Sequence, residues 1–110
     1  MTFSRSVNYS WHTIELIKTD VFDRWLTELC DIRARARIEA RIRRLSLGNP
    51  GDVTPVGEGI SEMRIDYGPE YRVYYLKRGP IVVVLLCRGN KASQDRDIVM
   101  AKAIAAQWKE

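Results

Sequence analysis

The chain has 110 residues, enough for one small domain with a core of its own. Hydrophobic residues make up 45% and charged residues 29%, the balance of a folded globular protein, which excludes a disordered chain. Eighteen Lys and Arg against fourteen Asp and Glu leave a net charge of +4, which favours acidic partners, nucleic acid first, without requiring one.

Residues 1–12 are polar and aperiodic, with Trp11 and His12 at their end, and read as a loose arm ahead of a domain spanning 13–110. Thr13 to Lys18 alternates, with Ile14, Leu16 and Ile17, and predicts a first strand. Thr19 or Asp20 then caps a helix with Phe22, Trp25, Leu26 and Leu29 on one face. A second helix is expected from about Ile32 to Leu47, ended by Gly48-Asn49-Pro50-Gly51. Its apolar stripe is Ala34, Ile38, Ile42 and Leu45, and Arg33, Arg37, Arg41 and Arg44 form a neighbouring stripe at helical spacing. Pattern favours a solvated helix face for these arginines; contact with a partner or the ribosome, through phosphates, is the second reading. Two helices so close in sequence predict a hairpin.

From Val53 the period becomes alternating. Strands are expected near Val53–Val56, Ile60–Tyr67, Tyr71–Lys77 and Ile81–Arg88, with turns at Gly57-Glu58-Gly59, Gly68-Pro69-Glu70 and Gly79-Pro80. Ile81 to Leu86 is apolar on both faces, as a central strand requires. A last helix opens at Ser93 or Asp95 and carries Ile98, Ala101, Ile104, Ala105 and Trp108 on one face. The order predicts an α+β single domain: an N-terminal strand, a two-helix hairpin, an antiparallel strand meander and a C-terminal helix.

Register narrows the site. Met63, Ile65 and Tyr67 alternate with Glu62, Arg64 and Asp66, and Tyr71, Val73 and Tyr75 alternate with Arg72, Tyr74 and Leu76. Matching apolar with apolar needs an odd loop. A loop of Gly68-Pro69-Glu70 sets residue 64 opposite 74 and residue 66 opposite 72. Arg64, Arg72 and Tyr74 then share a polar face with Glu62 and Asp66. Pattern favours a solvated sheet face with pairs such as Arg72 with Asp66. The functional alternative is a basic surface on which arginines grip phosphate oxygens and a tyrosine stacks or exchanges a proton.

Other chemistry is sparse. Gly89-Asn90-Lys91-Ala92-Ser93 leads from strand to helix, and reads as a plain turn or as a phosphate cradle helped by Lys91. It has the spacing of neither a P-loop nor a dinucleotide fingerprint. His12 is the one histidine and cannot form a two-histidine ribonuclease pair; no metal-ligand cluster is visible, so no metal or other cofactor is expected. Ser61 and Ser93 lack a partnering base. Cys30 and Cys87 sit in apolar patterns without CxxC spacing, Met1 to Trp11 lacks a signal-like apolar stretch, and the longest apolar run, Ile81 to Cys87, is strand-sized. Buried free thiols in a cytoplasmic protein with no membrane contact are the expectation.

Three segments carry a resemblance: Val56-Gly57-Glu58-Gly59-Ile60-Ser61-Glu62-Met63-Arg64-Ile65, Gly68-Pro69-Glu70-Tyr71-Arg72-Val73-Tyr74-Tyr75, and Leu85 through Ile98. With Phe22-Asp23-Arg24-Trp25-Leu26 and Leu47-Gly48-Asn49-Pro50-Gly51-Asp52, they resemble the HigB-like addiction-module killer proteins, the phage-associated branch of the RelE/ParE toxin superfamily. The likeness spans roughly Glu15 to Lys109. It implies a RelE/ParE-like fold and the toxin of a type II toxin–antitoxin system: a metal-free endoribonuclease that cleaves mRNA on the ribosome and inhibits translation. It also implies a helix-turn-helix antitoxin through which alone operator DNA is reached. Arg72 matches the arginine of the superfamily's Tyr-Arg strand, Arg64 a basic position on the strand before, and Lys91 the basic residue after the last strand. With Tyr74 these are the expected catalytic group, and Arg33, Arg37, Arg41, Arg44 and Arg88 the expected RNA contacts. Gln94 to Ile98 carries no tyrosine or histidine where the superfamily places its catalytic one, and Glu70 stands where a glycine is usual. A ParE-like inhibitor of DNA gyrase, or an inactive relative that binds antitoxin or nucleic acid, are the alternatives.

Overall fold

The computed structural model describes residues 2–6, 14–89 and 91–108. Its strands are β1 (Phe3–Ser6), β2 (Glu15–Thr19), β3 (Val53–Gly57), β4 (Ile60–Ile65), β5 (Tyr71–Arg78) and β6 (Ile81–Arg88); its helices are α1 (Asp20–Glu28), α2 (Ile32–Ser46) and α3 (Gln94–Ala105). The strands form one sheet in the order β1-β2-β6-β5-β4-β3, antiparallel throughout except where β2 runs parallel to β6. Phe3–Ser6 lie in the segment expected to be a loose arm, yet they pair with β2 as an edge strand. Trp11, His12, Thr13 and Asn90, all named above, lie outside the described residues.

Helices cover both faces of the sheet. Phe22, Leu26, Ala34, Ile38, Ile42 and Leu45 of α1 and α2 pack on Met63, Ile65, Val73, Val84 and Cys87. Ala101 and Ile104 of α3 pack on Ile17, Tyr74, Leu76, Val83 and Leu85 from the other side. β6 is therefore internal and buried on both faces, which is why its run is apolar throughout. The result is an α+β single domain whose radius of gyration, 12.9 Å, matches the roughly 13 Å of a compact chain this long.

Local chemistry fixes the helix ends. The Thr19 hydroxyl accepts from the Phe22 amide at 3.0 Å and opens α1; the Asp31 carboxylate accepts from Arg33 and Ala34 amides at 3.0 and 3.1 Å and opens α2. Gly48, at φ 88, takes the left-handed position that ends α2. Cys87 is buried as expected, but Cys30, in the short α1–α2 connection, is exposed.

Two irregularities decide where side chains point. β4 stops at Ile65, so the loop to β5 is the five residues 66–70 and not three. Arg64 then faces Arg72 and Glu62 faces Tyr74, two residues away from the expected register, while the odd loop length keeps each residue on its expected face. In β6, Tyr74 pairs with Leu86 but Tyr75 with Val84, so Leu85 is an extra residue, a β-bulge. Leu85 and Leu86 consequently both join the α3-side core, and Arg88 turns to the α3 side instead of the α2 side.

Candidate functional site

The β4–β5 register and the β6 bulge together put Arg64, Arg72 and Arg88 in one row across three neighbouring strands, on the face that α3 covers. Their backbone positions are roughly 5 Å apart, the spacing of adjacent strands. Like charges set side by side repel. Three carboxylates compensate. Glu62 Oε1 lies 3.6 Å from Nε of Arg64 and 3.6 Å from Nε of Arg72. Glu70 Oε2 lies 3.8 Å from an Nη of Arg72, and Asp97 Oδ1 of α3 lies 3.8 Å from Nε of Arg88.

Glu62 is the hub. It is 1% exposed, and its second oxygen accepts from the Tyr74 hydroxyl at 2.9 Å and from the Gln94 side-chain amide at 2.8 Å. Asp97 is held by the Ser93 hydroxyl at 2.6 Å, so the first turn of α3 orients both buried acids. Burial, and then the hydrogen bond to Glu62, pushes the Tyr74 phenol well above its ordinary range. Tyr74 is thus a neutral donor that aims Glu62, and Glu62 aligns the two arginines.

The expected solvent-facing surface is corrected by these contacts. Arg72 is 3% exposed and Tyr74 fully buried, because α3 lies over this part of the sheet. Arg64, at 51%, and Arg88, at 38%, keep solvent access. The pairing of Arg72 with Asp66 does not form: Asp66 is exposed beyond the end of β4, and Glu62 and Glu70 take its place. Lys91 is exposed in a short 3-10 turn, Lys91–Ser93, just ahead of α3. Gly89 is explained by packing: a Cβ there would meet the Tyr71 ring at 2.8 Å and Pro69 at 3.2 Å.

The arginines of α2 belong to the other layer. Arg41 donates to the Arg64 carbonyl at 2.6 Å and to the Pro50 carbonyl at 3.0 Å, tying α2 to the edge of β4 just past the last β3 pair. Arg37 stacks over the Tyr67 ring, 4.8 Å from its centre. Arg33 and Arg44 are exposed. With Ile65, Asp66 and Ala40, residues Arg37, Arg41 and Arg44 line a shallow cleft of about 420 Å³. Of the expected RNA contacts, then, Arg88 joins Arg64 and Arg72, while Arg41 is held in a structural bridge and Arg33, Arg37 and Arg44 sit on α2.

Gln94, Asp97 and the hub role of Glu62 escape a reading by residue type. The available signal was the spacing of Gln94 and Asp97, which sets them on one face of a helix start. No family model matches the chain. A protein of Haemophilus influenzae strain Rd, itself uncharacterized, is 48% identical to it over 95 residues, which is 86% of this chain and 96% of that protein.

Proposed function

We propose that this chain, which belongs to one family with the Haemophilus influenzae protein, is the toxin of a type II toxin–antitoxin system with a RelE/ParE-like fold. In this reading it is a cytoplasmic endoribonuclease that cleaves mRNA on the ribosome. The observation that carries it is the alignment of Arg64, Arg72 and Arg88 on three adjacent strands. Such a row meets the several oxygens of one phosphodiester, and Arg64 and Arg88 meet solvent beside it. The ribose 2′-hydroxyl attacks the adjacent phosphorus as the bond to the 5′ oxygen breaks, leaving a 2′,3′-cyclic phosphate. Arg64 and Arg72 stabilise the charge on the five-coordinate phosphorus, Lys91 stabilises the leaving 5′ oxygen, and the proton of the 2′-hydroxyl passes through water to that oxygen. Tyr74, through Glu62, holds the arginines in line. The exposed arginines of α2 contact RNA elsewhere. A helix-turn-helix antitoxin inhibits the toxin and carries the pair to operator DNA.

One observation favours a second reading, binding to DNA gyrase without nuclease chemistry. The tyrosine on this face is buried with its ionisation pushed up, so it is no proton acceptor. Induced expression followed by primer-extension mapping of mRNA ends separates the two. Discrete cuts within translated codons, reduced about a hundredfold in Arg64→Ala, support the ribonuclease, since one well-placed donor contributes about 3 kcal/mol to such a transition state. Growth arrest with intact mRNA and altered supercoiling transfers support to the gyrase reading. Absence of toxicity leaves an inactive binding relative.

A further inference from the structure

The 66–70 loop brings an exposed carboxylate onto the arginine row. We propose that the Glu70 carboxylate occupies the phosphate position of this row in the free protein and is displaced from it by an incoming phosphate. The inference deepens the ribonuclease reading and rests on it for the ligand's being RNA.

Arg72 is under-satisfied. A guanidinium carries five N–H donors, yet the Arg72 hydrogen bond found among the described residues is a long one, 3.5 Å, to the Glu70 carbonyl. Its Nε is buried without a hydrogen-bond partner. Its carboxylate neighbours stand at 3.6 and 3.8 Å, whereas charge-assisted bonds close to about 2.7–2.9 Å. Nε faces the pinned Glu62, but both Nη atoms face Glu70 through long contacts only, 3.5 Å to its carbonyl and 3.8 Å to its carboxylate, so it is on the Glu70 side that a closer acceptor is wanting.

The two acids on Arg72 differ in their freedom. Glu62 is buried and pinned by Tyr74 and Gln94. Glu70 is 58% exposed, and both its carbonyl and its carboxylate address Arg72. It also adopts φ 59, a left-handed conformation that costs a residue with a Cβ. Pro69 and Tyr71 flank it and lie against Gly89, which seats the loop on either side of Glu70, while the Glu70 side chain itself is exposed. Exchange of a carboxylate for a phosphate keeps the local charge compensated and supplies the further oxygens that Arg64 and Arg88 need. Glu70 is thereby a competitor that sets the affinity of the site.

The test is binding of two probes, inorganic phosphate and a 5′-labelled single-stranded RNA hexamer, to wild type, Glu70→Gln and Glu70→Gln/Arg64→Ala at low salt. Loss of one competing ion pair predicts about two- to fivefold tighter binding of both probes to Glu70→Gln. The gain should vanish near 1 M salt, where screening extends to roughly 3 Å, and in the double variant. Glu70→Gln removes a charge from an exposed side chain, and an unchanged melting midpoint verifies its fold. Equal or weaker binding by a folded Glu70→Gln overturns the proposal, as does the absence of saturable binding in every variant. Tighter binding of both probes without mRNA cleavage in cells supports the site while overturning the ribonuclease reading.

Discussion

Thr19→Val tests the joint on which the arginine row depends. The Thr19 hydroxyl does two things at once: it accepts from the Phe22 amide at 3.0 Å, and it donates to the Leu85 carbonyl at 2.6 Å, at the bulge of β6. Thr19 is fully buried, so no solvent replaces either bond. Loss of the helix cap costs about 1 kcal/mol. A buried carbonyl deprived of its donor costs about 1–3 kcal/mol more. The sum is about 2–4 kcal/mol, read as a shift of the urea midpoint at constant slope. For a chain near 100 residues this lowers the melting midpoint by roughly 10–20 °C. Thr19→Ser keeps the hydroxyl and loses a methyl group, about 1 kcal/mol. Amide exchange at Leu86 and Cys87 should accelerate in the valine variant before global unfolding, because the bulge is loosened first. A Thr19→Val loss of less than about 0.5 kcal/mol, the range of ordinary surface substitutions, refutes the reasoning.

Tyr74→Phe should change stability differently across the alkaline range. The folded-state ionisation of Tyr74 is raised by burial and by Glu62, so its contribution is fully present below the unfolded value of about 10 and is lost as pH rises above it. Above about pH 10 the variant should therefore lose stability less steeply than wild type, by about 1.4 kcal/mol per pH unit; equal slopes in urea titrations at pH 9–11 would count against a protonated buried phenol. Arg41→Ala should destabilise by about 2 kcal/mol through its two carbonyl bonds. Arg33→Ala and Arg44→Ala, on exposed positions of the same helix, should stay within about 0.5 kcal/mol. Equal effects at all three positions in chemical denaturation would remove the structural distinction.

The helices, the succession of strands from β2 to β6 along the chain and the internal place of β6 were legible because each rests on a local period or cap; the edge strand β1 and the parallel pairing of β2 with β6 were not, since neither leaves a local pattern. Thr19, Ala34 through Leu45, and Gly48 carry their own instructions. The face shared by Glu62, Arg64, Arg72 and Tyr74 was legible as well, since parity survives an error of two in register. What α3 does to that face was not. Its stripe of Ala101 and Ile104 announces that the helix packs on something apolar, but alternation within β4 and β5 marks Glu62, Arg72 and Tyr74 as polar and hence as solvent-facing. Only the packed structure shows Gln94 arriving as a partner for Glu62, the acid that also holds Tyr74 and Arg72, so that all three can be buried.

The bulge at Leu85 shows why an apolar strand hides such information. In an alternating strand an inserted residue breaks the pattern and is seen. Ile81 to Cys87 is apolar at every position, so the extra residue leaves no trace in hydropathy, and simple alternation from Val82 and Val84 assigns Arg88 to the α2 side. The structure assigns it to the α3 side, bonded to Met100 and paired with Asp97. The third arginine of the row is thus delivered by an irregularity in a strand whose composition cannot report it. The hydroxyl that holds this irregularity belongs to a residue legible only as a helix cap. Thr19 links the start of α1 to the bulge that aims Arg88, one short side chain satisfying both ends of that link.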